Sequence, residues 1–186
     1  SPTCHICFFG LYAQLNREFL LSSVADSVIG GEYEQALVSL VESLESNTRS
    51  ETGSSSRVEQ LQGPVLRRLS FLAPDRSGLP ALDRYAQLEH DGTRRLAGSV
   101  EATRGCKHHC LHCPIPPVYG GRFFVIPKEV VLEDITGLVA AGAGHITFGD
   151  PDFLNGPGHS LAILRAMHAA HPELTFDFTA KIEHIV

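Results

Sequence analysis

The chain has 186 residues, long enough to bury a real core and too short for a large multidomain machine. Hydrophobic residues make up 43% and charged residues 19%, which excludes wholesale disorder. Fifteen Lys and Arg against 21 Asp and Glu leave −6, which argues against nucleic-acid binding through bulk charge, and no apolar run reaches transmembrane length.

The opening SPTCHICFFG is apolar but lacks the basic start of a signal peptide. The final FDFTAKIEHIV stops inside a strand-like pattern, so both ends read as cut and the chain as an internal piece of a longer protein. Residues 5–10 read as a short buried strand, residues 12–23 as a helix, and Asp26–Ile29 as a second strand closed by Gly30 and Gly31. A helix follows, with Glu32 and Glu34 in its first turn and Tyr33, Leu37, Leu40, Val41 and Leu44 at helical spacing. Residues 1–46 therefore read β-α-β-α, as in an open parallel sheet.

Asn47 to Arg57 is polar and reads as a flexible linker. Residues 58–96 are broken repeatedly by Pro64, Pro74, Gly78 and Pro80 and read as a connector with one short helix near Ala81–Leu88. Leu96–Ala102 reads as a strand, and residues 104–121 as a loop dense in Gly, Pro, Cys and His. Pro127 opens a helix striped by Val131, Ile135, Leu138 and Val139 and ended by Gly142 to Gly144. Then come a strand at His145–Phe148, a loop over 150–157, a helix over 158–170 with Leu161, Leu164 and Met167 on one face, and a strand at Leu174–Thr179. Repeated βα units build a barrel or a doubly wound sheet.

Five cysteines fall in two clusters, Cys4 with Cys7, and Cys106 with Cys110 and Cys113. Clustered cysteines in odd number, in a chain of this size, point to a reducing compartment and a metal, not to a disulfide scaffold. The spacing CxxxCxxC, directly after a predicted strand, places three soft thiolates within eight residues. Thiolates select iron–sulfur clusters, zinc or Cu(I). Three of them can hold three irons of a cubane and leave the fourth open to a ligand, whereas an electron-carrying cluster normally has four.

This loop, in its βα context, resembles the radical S-adenosylmethionine (SAM) superfamily. DSVIGGEYE, APDRSGLPALDRYAQL and SVEATRGCKHHCLHCP extend the resemblance to members with an N-terminal cobalamin-binding domain. The resemblance implies an α/β fold: a partial Rossmann-like cobalamin-binding-type domain over 1–46, a linker and connector over 47–95, and the first part of a radical SAM βα (partial TIM-like) barrel over 96–186. It implies that Cys106, Cys110 and Cys113 hold a 4Fe–4S cluster whose open iron chelates SAM. His112 stands where the family usually has an aromatic residue near the adenine. Thr147-Phe148-Gly149-Asp150 stands where the family contacts the SAM amino group, Gly149 allowing close approach and Asp150 accepting from the ammonium. Lys181 and Glu183 rank lower for the same pocket. The implied reaction is reductive cleavage of SAM to a 5′-deoxyadenosyl radical, with cobalamin as an optional further cofactor and Gly30 and Gly31 near its tail. The implied partners are a small-molecule or peptide substrate and an external electron donor such as flavodoxin or ferredoxin, with no nucleic acid or membrane, in the cytoplasm.

Blander readings stand beside these. Cys106, Cys110 and Cys113 with His108, His109 or His112 suit zinc, which would make the chain a non-catalytic binding or interaction module. A third reading keeps the radical SAM enzyme without cobalamin. Cys4 and Cys7 read as buried core thiols. His145, His159, His168, His171 and His184 read as ordinary histidines, and Asp150 and Asp152 are also placed to cap a turn. Tyr119-Gly120-Gly121-Arg122 reads as a tight turn.

Overall fold

Strand β4 (Thr93–Val100) organises most of the second half of the protein. It pairs antiparallel with β3 (Gln87–His90) and parallel with β7 (Ala143–Phe148), which pairs parallel with β8 (Thr175–Phe178). The computed structural model describes residues 4–49 and 63–185. Over these the fold is mixed α/β with a curled half-barrel sheet in the order β3-β4-β7-β8. Two compact units divide the chain. One comprises Ser1–Leu69 and Lys107–Arg122, the other Ser70–Cys106 and Phe123–Val186.

In the second unit, α5 (Lys128–Ala140) and α6 (Pro157–Ala170) return the chain between parallel strands. Side chains alternate across a strand, so beyond the register shift after Leu96 the even-numbered residues of β4 and β7 share one face. Gly98, Val100, Ile146 and Phe148 meet the helices there. A Cβ at Gly98 would lie 2.8 Å from Leu138 Cδ1, so glycine lets α5 approach the sheet. Val131, Ile135 and Leu138 of α5 and Ile163 and Met167 of α6 complete the core. Each such buried side chain contributes about 1.5–3 kcal/mol by leaving water. The opposite face carries the polar row Ser99, Thr147 and Asp177, aligned across β4, β7 and β8.

The connector is more ordered than its proline content predicts. Phe71 packs against the core, and the Arg76 guanidinium pairs with Asp134 of α5 and donates to the Ser99 carbonyl at 3.3 Å. In place of a helix near Ala81–Leu88 there is a single 3-10 turn, Leu82–Arg84, followed by β3. Asp91 (φ 49°) and Gly92 (φ 71°) both take left-handed backbone, which makes the two-residue hairpin turn that joins β3 to β4 with the strands' own twist. A further hairpin pairs β5 (Thr103–Gly105) with β6 (Phe123–Val125). On α6, Met167 is buried and Leu164 packs against the core as expected, but Leu161 is 47% exposed and Ile163 takes the buried place.

In the first unit, β1 (Cys7–Phe9) and β2 (Ser27–Ile29) pair in parallel. The expected single helix between them is broken at Asn16 into α1 (Leu11–Leu15) and α2 (Arg17–Ser23). Arg17 Nη1 donates to the Val28 carbonyl at 2.7 Å and ties α2 to β2. Helix α3 (Glu34–Arg49) runs into the segment read as linker, and the rest of that linker, from residue 50, lies outside the described residues. Gly30 and Gly31 have internal explanations. A Cβ on Gly30 would meet Gln14, and one on Gly31 (φ 74°) would lie 2.2 Å from the Val65 carbonyl oxygen. Val65 donates to the Gly30 carbonyl at 2.8 Å and accepts from Glu32 N–H at 2.7 Å, extending this edge.

Candidate metal centre

Two strand ends converge where the cysteine loop begins. Beyond β4 the chain crosses through Glu101 and Ala102 into β5, while beyond β7 it turns at Gly149 and Asp150. The Asp150 carboxyl accepts from Ala102 N–H at 3.0 Å and from Thr103 Oγ1 at 2.5 Å. Asp150 is 2% exposed, and burial pushes its pKa above the usual carboxylate value. The hydrogen bonds from Ala102 and Thr103 oppose that rise, and the neighbouring Glu101 charge adds to it. Asp150 thus fixes the chain three to four residues before the first cysteine. Gly149 N–H donates to the Val100 carbonyl at 2.8 Å. A Cβ there would make only ordinary contacts at 3.7 Å or more, so the protein's own packing does not demand glycine.

Gly105 (φ 73°) turns the chain out of β5 and into Cys106, which is buried. Its thiol donates to Asn155 Oδ1 at 3.8 Å, and Sγ lies within 4.8 Å of an Asp152 carboxylate oxygen. Asp152 is itself buried. Oδ1 accepts from Leu154 N–H at 3.2 Å, the turn expected of it, and Oδ2 meets His184 Nε2 at 2.9 Å. Asn155 and His184 were not singled out by the sequence. Asn155 sits in what reads as a plain loop, and His184 is 78 positions from Cys106 with no motif around it.

The remainder of the loop belongs to the first unit. Cys113 N–H donates to the Cys110 carbonyl at 3.1 Å, closing a turn that leaves Leu111 and His112 exposed. One helical turn, α4 (Pro116–Tyr119), starts on Pro116 and is closed by Gly120 in left-handed backbone. His109 packs against Gly121, where a Cβ would lie 2.5 Å from Nε2. Tyr119 Oη donates to buried Glu32 Oε1 at 3.0 Å, and Arg122 Nη1 to the Leu66 carbonyl at 3.1 Å. The segment Tyr119–Arg122 is therefore a turn with anchors of its own at both ends.

All five cysteines are free thiols. Cys4 is exposed and Cys7 half-buried, which corrects the expectation of two buried core thiols. Among the scattered histidines, His145 is buried, with Nδ1 2.8 Å from Thr175 Oγ1. Lys181 pairs with Glu183 at 3.1 Å. No described helix is long and apolar enough to cross a membrane. Three soft sulfur donors without disulfides, separated by three and two intervening residues, suit a 4Fe–4S cluster.

No family model and no curated protein matches the chain. Among solved structures it is similar to the radical S-adenosylmethionine methyltransferase TsrM from Kitasatospora setae, with tryptophan substrate and a SAM analog (aza-SAM) bound. The TM-score is 0.68 at 20% identity, over 91% of this chain and 34% of that one. A second TsrM structure, with cobalamin and a [4Fe-4S] cluster bound, matches at TM-score 0.38 and 25% identity, over 43% of this chain and 15% of that one. The chain spans about a third of TsrM's length. What the two proteins share over that third is a fold.

Proposed function

We propose that this chain carries the cluster-binding part of a radical SAM enzyme. Cys106, Cys110 and Cys113 are the ligands of a 4Fe–4S cluster, and the CxxxCxxC spacing directly after β5 is the observation that carries the reading. Such a cluster supplies one electron for reductive cleavage of SAM to a 5′-deoxyadenosyl radical.

The protein's own groups hold and orient. Asp150 locks Ala102 and Thr103, which sets where Cys106 leaves β5. Gly149 leaves the end of β7 open to a close ligand and His112 offers a flat ring on the Cys110–Cys113 turn, while the buried Asp150 carboxyl is engaged by Ala102 and Thr103. The substrate is a small molecule, in keeping with the tryptophan bound by TsrM. A cluster of this kind calls for an external one-electron donor. Gly30 and Gly31 are held by Gln14 and Val65, so these two glycines assign cobalamin no contact.

Anaerobic reconstitution of the full-length protein tests the reading. Bound iron and sulfide, a broad visible absorption band and release of 5′-deoxyadenosine from SAM are expected. Colourless protein with stoichiometric zinc would overturn it in favour of a binding module.

A further inference from the structure

Asn155 ends the 3-10 turn Phe153–Asn155, between β7 and α6, and is 1% exposed. The turn is pinned from several directions. Asn155 N–H donates to the Asp152 carbonyl at 3.0 Å, Phe153 N–H to the Thr179 carbonyl at 2.9 Å, and Ser160 Oγ of α6 to the Phe153 carbonyl. The side-chain amide is thereby held in one place, 3.8 Å from Cys106 Sγ.

A protonated thiol can donate to the amide oxygen. A metal-bound thiolate carries no proton and only accepts. An amide presents either its oxygen or its NH2 group at the same spot by a half-turn about its last torsion. Once Cys106 is a ligand, the contact is therefore favourable only with Nδ2–H directed at sulfur. The nearby Asp152 carboxylate is taken up by Leu154 N–H and His184.

Resting on the cluster reading above, we infer that Asn155 donates an Nδ2–H···Sγ hydrogen bond to the Cys106 thiolate and raises the reduction potential of the bound cluster. Reduction adds one electron, and the negative charge on the ligand sulfurs grows. A donor on sulfur therefore stabilises the reduced state more than the oxidised one. Burial keeps water from competing with that bond. Asn155 is a positioning residue, acting through Cys106.

The test uses the full-length protein, reconstituted anaerobically with iron and sulfide. Its potential is measured by titration with dithionite, the one-electron source, and followed by electron paramagnetic resonance. Asn155→Leu removes the donor, and Asn155→Asp replaces it with an acceptor. Both are expected to bind iron as the parent does and to shift the potential negative. The expected loss is tenfold in the reduction equilibrium constant, about 59 mV for one electron. Wild-type protein labelled with 15N in its asparagine side chains is expected to show nitrogen hyperfine coupling to the reduced cluster. Unchanged potentials in iron-replete variants would overturn the inference. Absence of the coupling would do so even if neither variant folds. A wild-type protein that takes up no iron would instead overturn the cluster reading itself.

Discussion

The Asp150 carboxyl accepts from the backbone N–H of Ala102 at 3.0 Å, joining the turn after β7 to the short link between β4 and β5. The contact is buried, and its carboxyl carries a raised pKa. A carboxyl whose folded pKa lies above its unfolded value of 3.8 contributes stability at pH below 3.8. That contribution is lost as pH rises through the folded value. Asp150→Asn removes this titration. The wild type is therefore expected to lose stability relative to Asp150→Asn as pH rises above 3.8 toward the raised folded value. Urea denaturation of both proteins across that range checks it, and a pH-independent difference would count against the buried, protonation-sensitive contact.

Gly31 tests the edge built on Val65. Its φ of 74° and the 2.2 Å that would separate an added methyl from the Val65 oxygen leave backbone, not a flexible side chain, in the way. Gly31→Ala is expected to cost about 2–4 kcal/mol, combining left-handed strain with overpacking. A chemical-denaturation midpoint within error of wild type would show that the edge can open freely.

The cysteines separate by cluster. Cys110→Ala is expected to abolish visible colour after reconstitution and to lower iron per chain. Cys4→Ala and Cys7→Ala are expected to leave both intact. Full iron content in the Cys110 variant would remove it from the ligand set.

Gly149→Ala probes the SAM side of the site without disturbing the fold. The added methyl meets only ordinary contacts, so stability is expected to change by less than about 0.5 kcal/mol. SAM affinity of the reconstituted full-length protein, measured by equilibrium dialysis, is expected to fall about tenfold, or about 1.4 kcal/mol. Equal affinity would return Gly149 to the role of a simple turn residue.

On α6, Ile163→Ala is expected to cost about 2–5 kcal/mol, because the residue is fully buried against the sheet. Leu161→Ala is expected to be near neutral. A reversed order in thermal denaturation would restore the helical face that periodicity predicted.

Those two residues show where sequence reading stops. Leu161, Leu164 and Met167 fit a helical stripe as well as Ile163 and Met167 do, and only the angle at which α6 meets the sheet decides between them. Helix α5 was legible because Val131, Ile135 and Leu138 form a stripe with no competing face. Parallel β1 and β2 were legible from their glycine-ended apolar runs. The β3–β4 hairpin was missed although Asp91-Gly92 is a strong turn signal, because prolines upstream made the whole segment read as irregular. The three clustered cysteines stood out because their spacing is local. Asn155 and His184 did not, because folding alone brings them to the Cys106 and Asp152 neighbourhood.

The β5–β6 ladder pairs Gly105 with Phe123, the residues at the two feet of the cysteine-bearing excursion. Closing a chain segment of this length costs configurational entropy, and here the pairing of two strands at its base offsets that cost independently of the thiols. The excursion differs in this from small zinc folds, whose architecture collapses when a chelator strips them. Chelation here should empty the thiols while the ladder's amide protons stay protected from exchange.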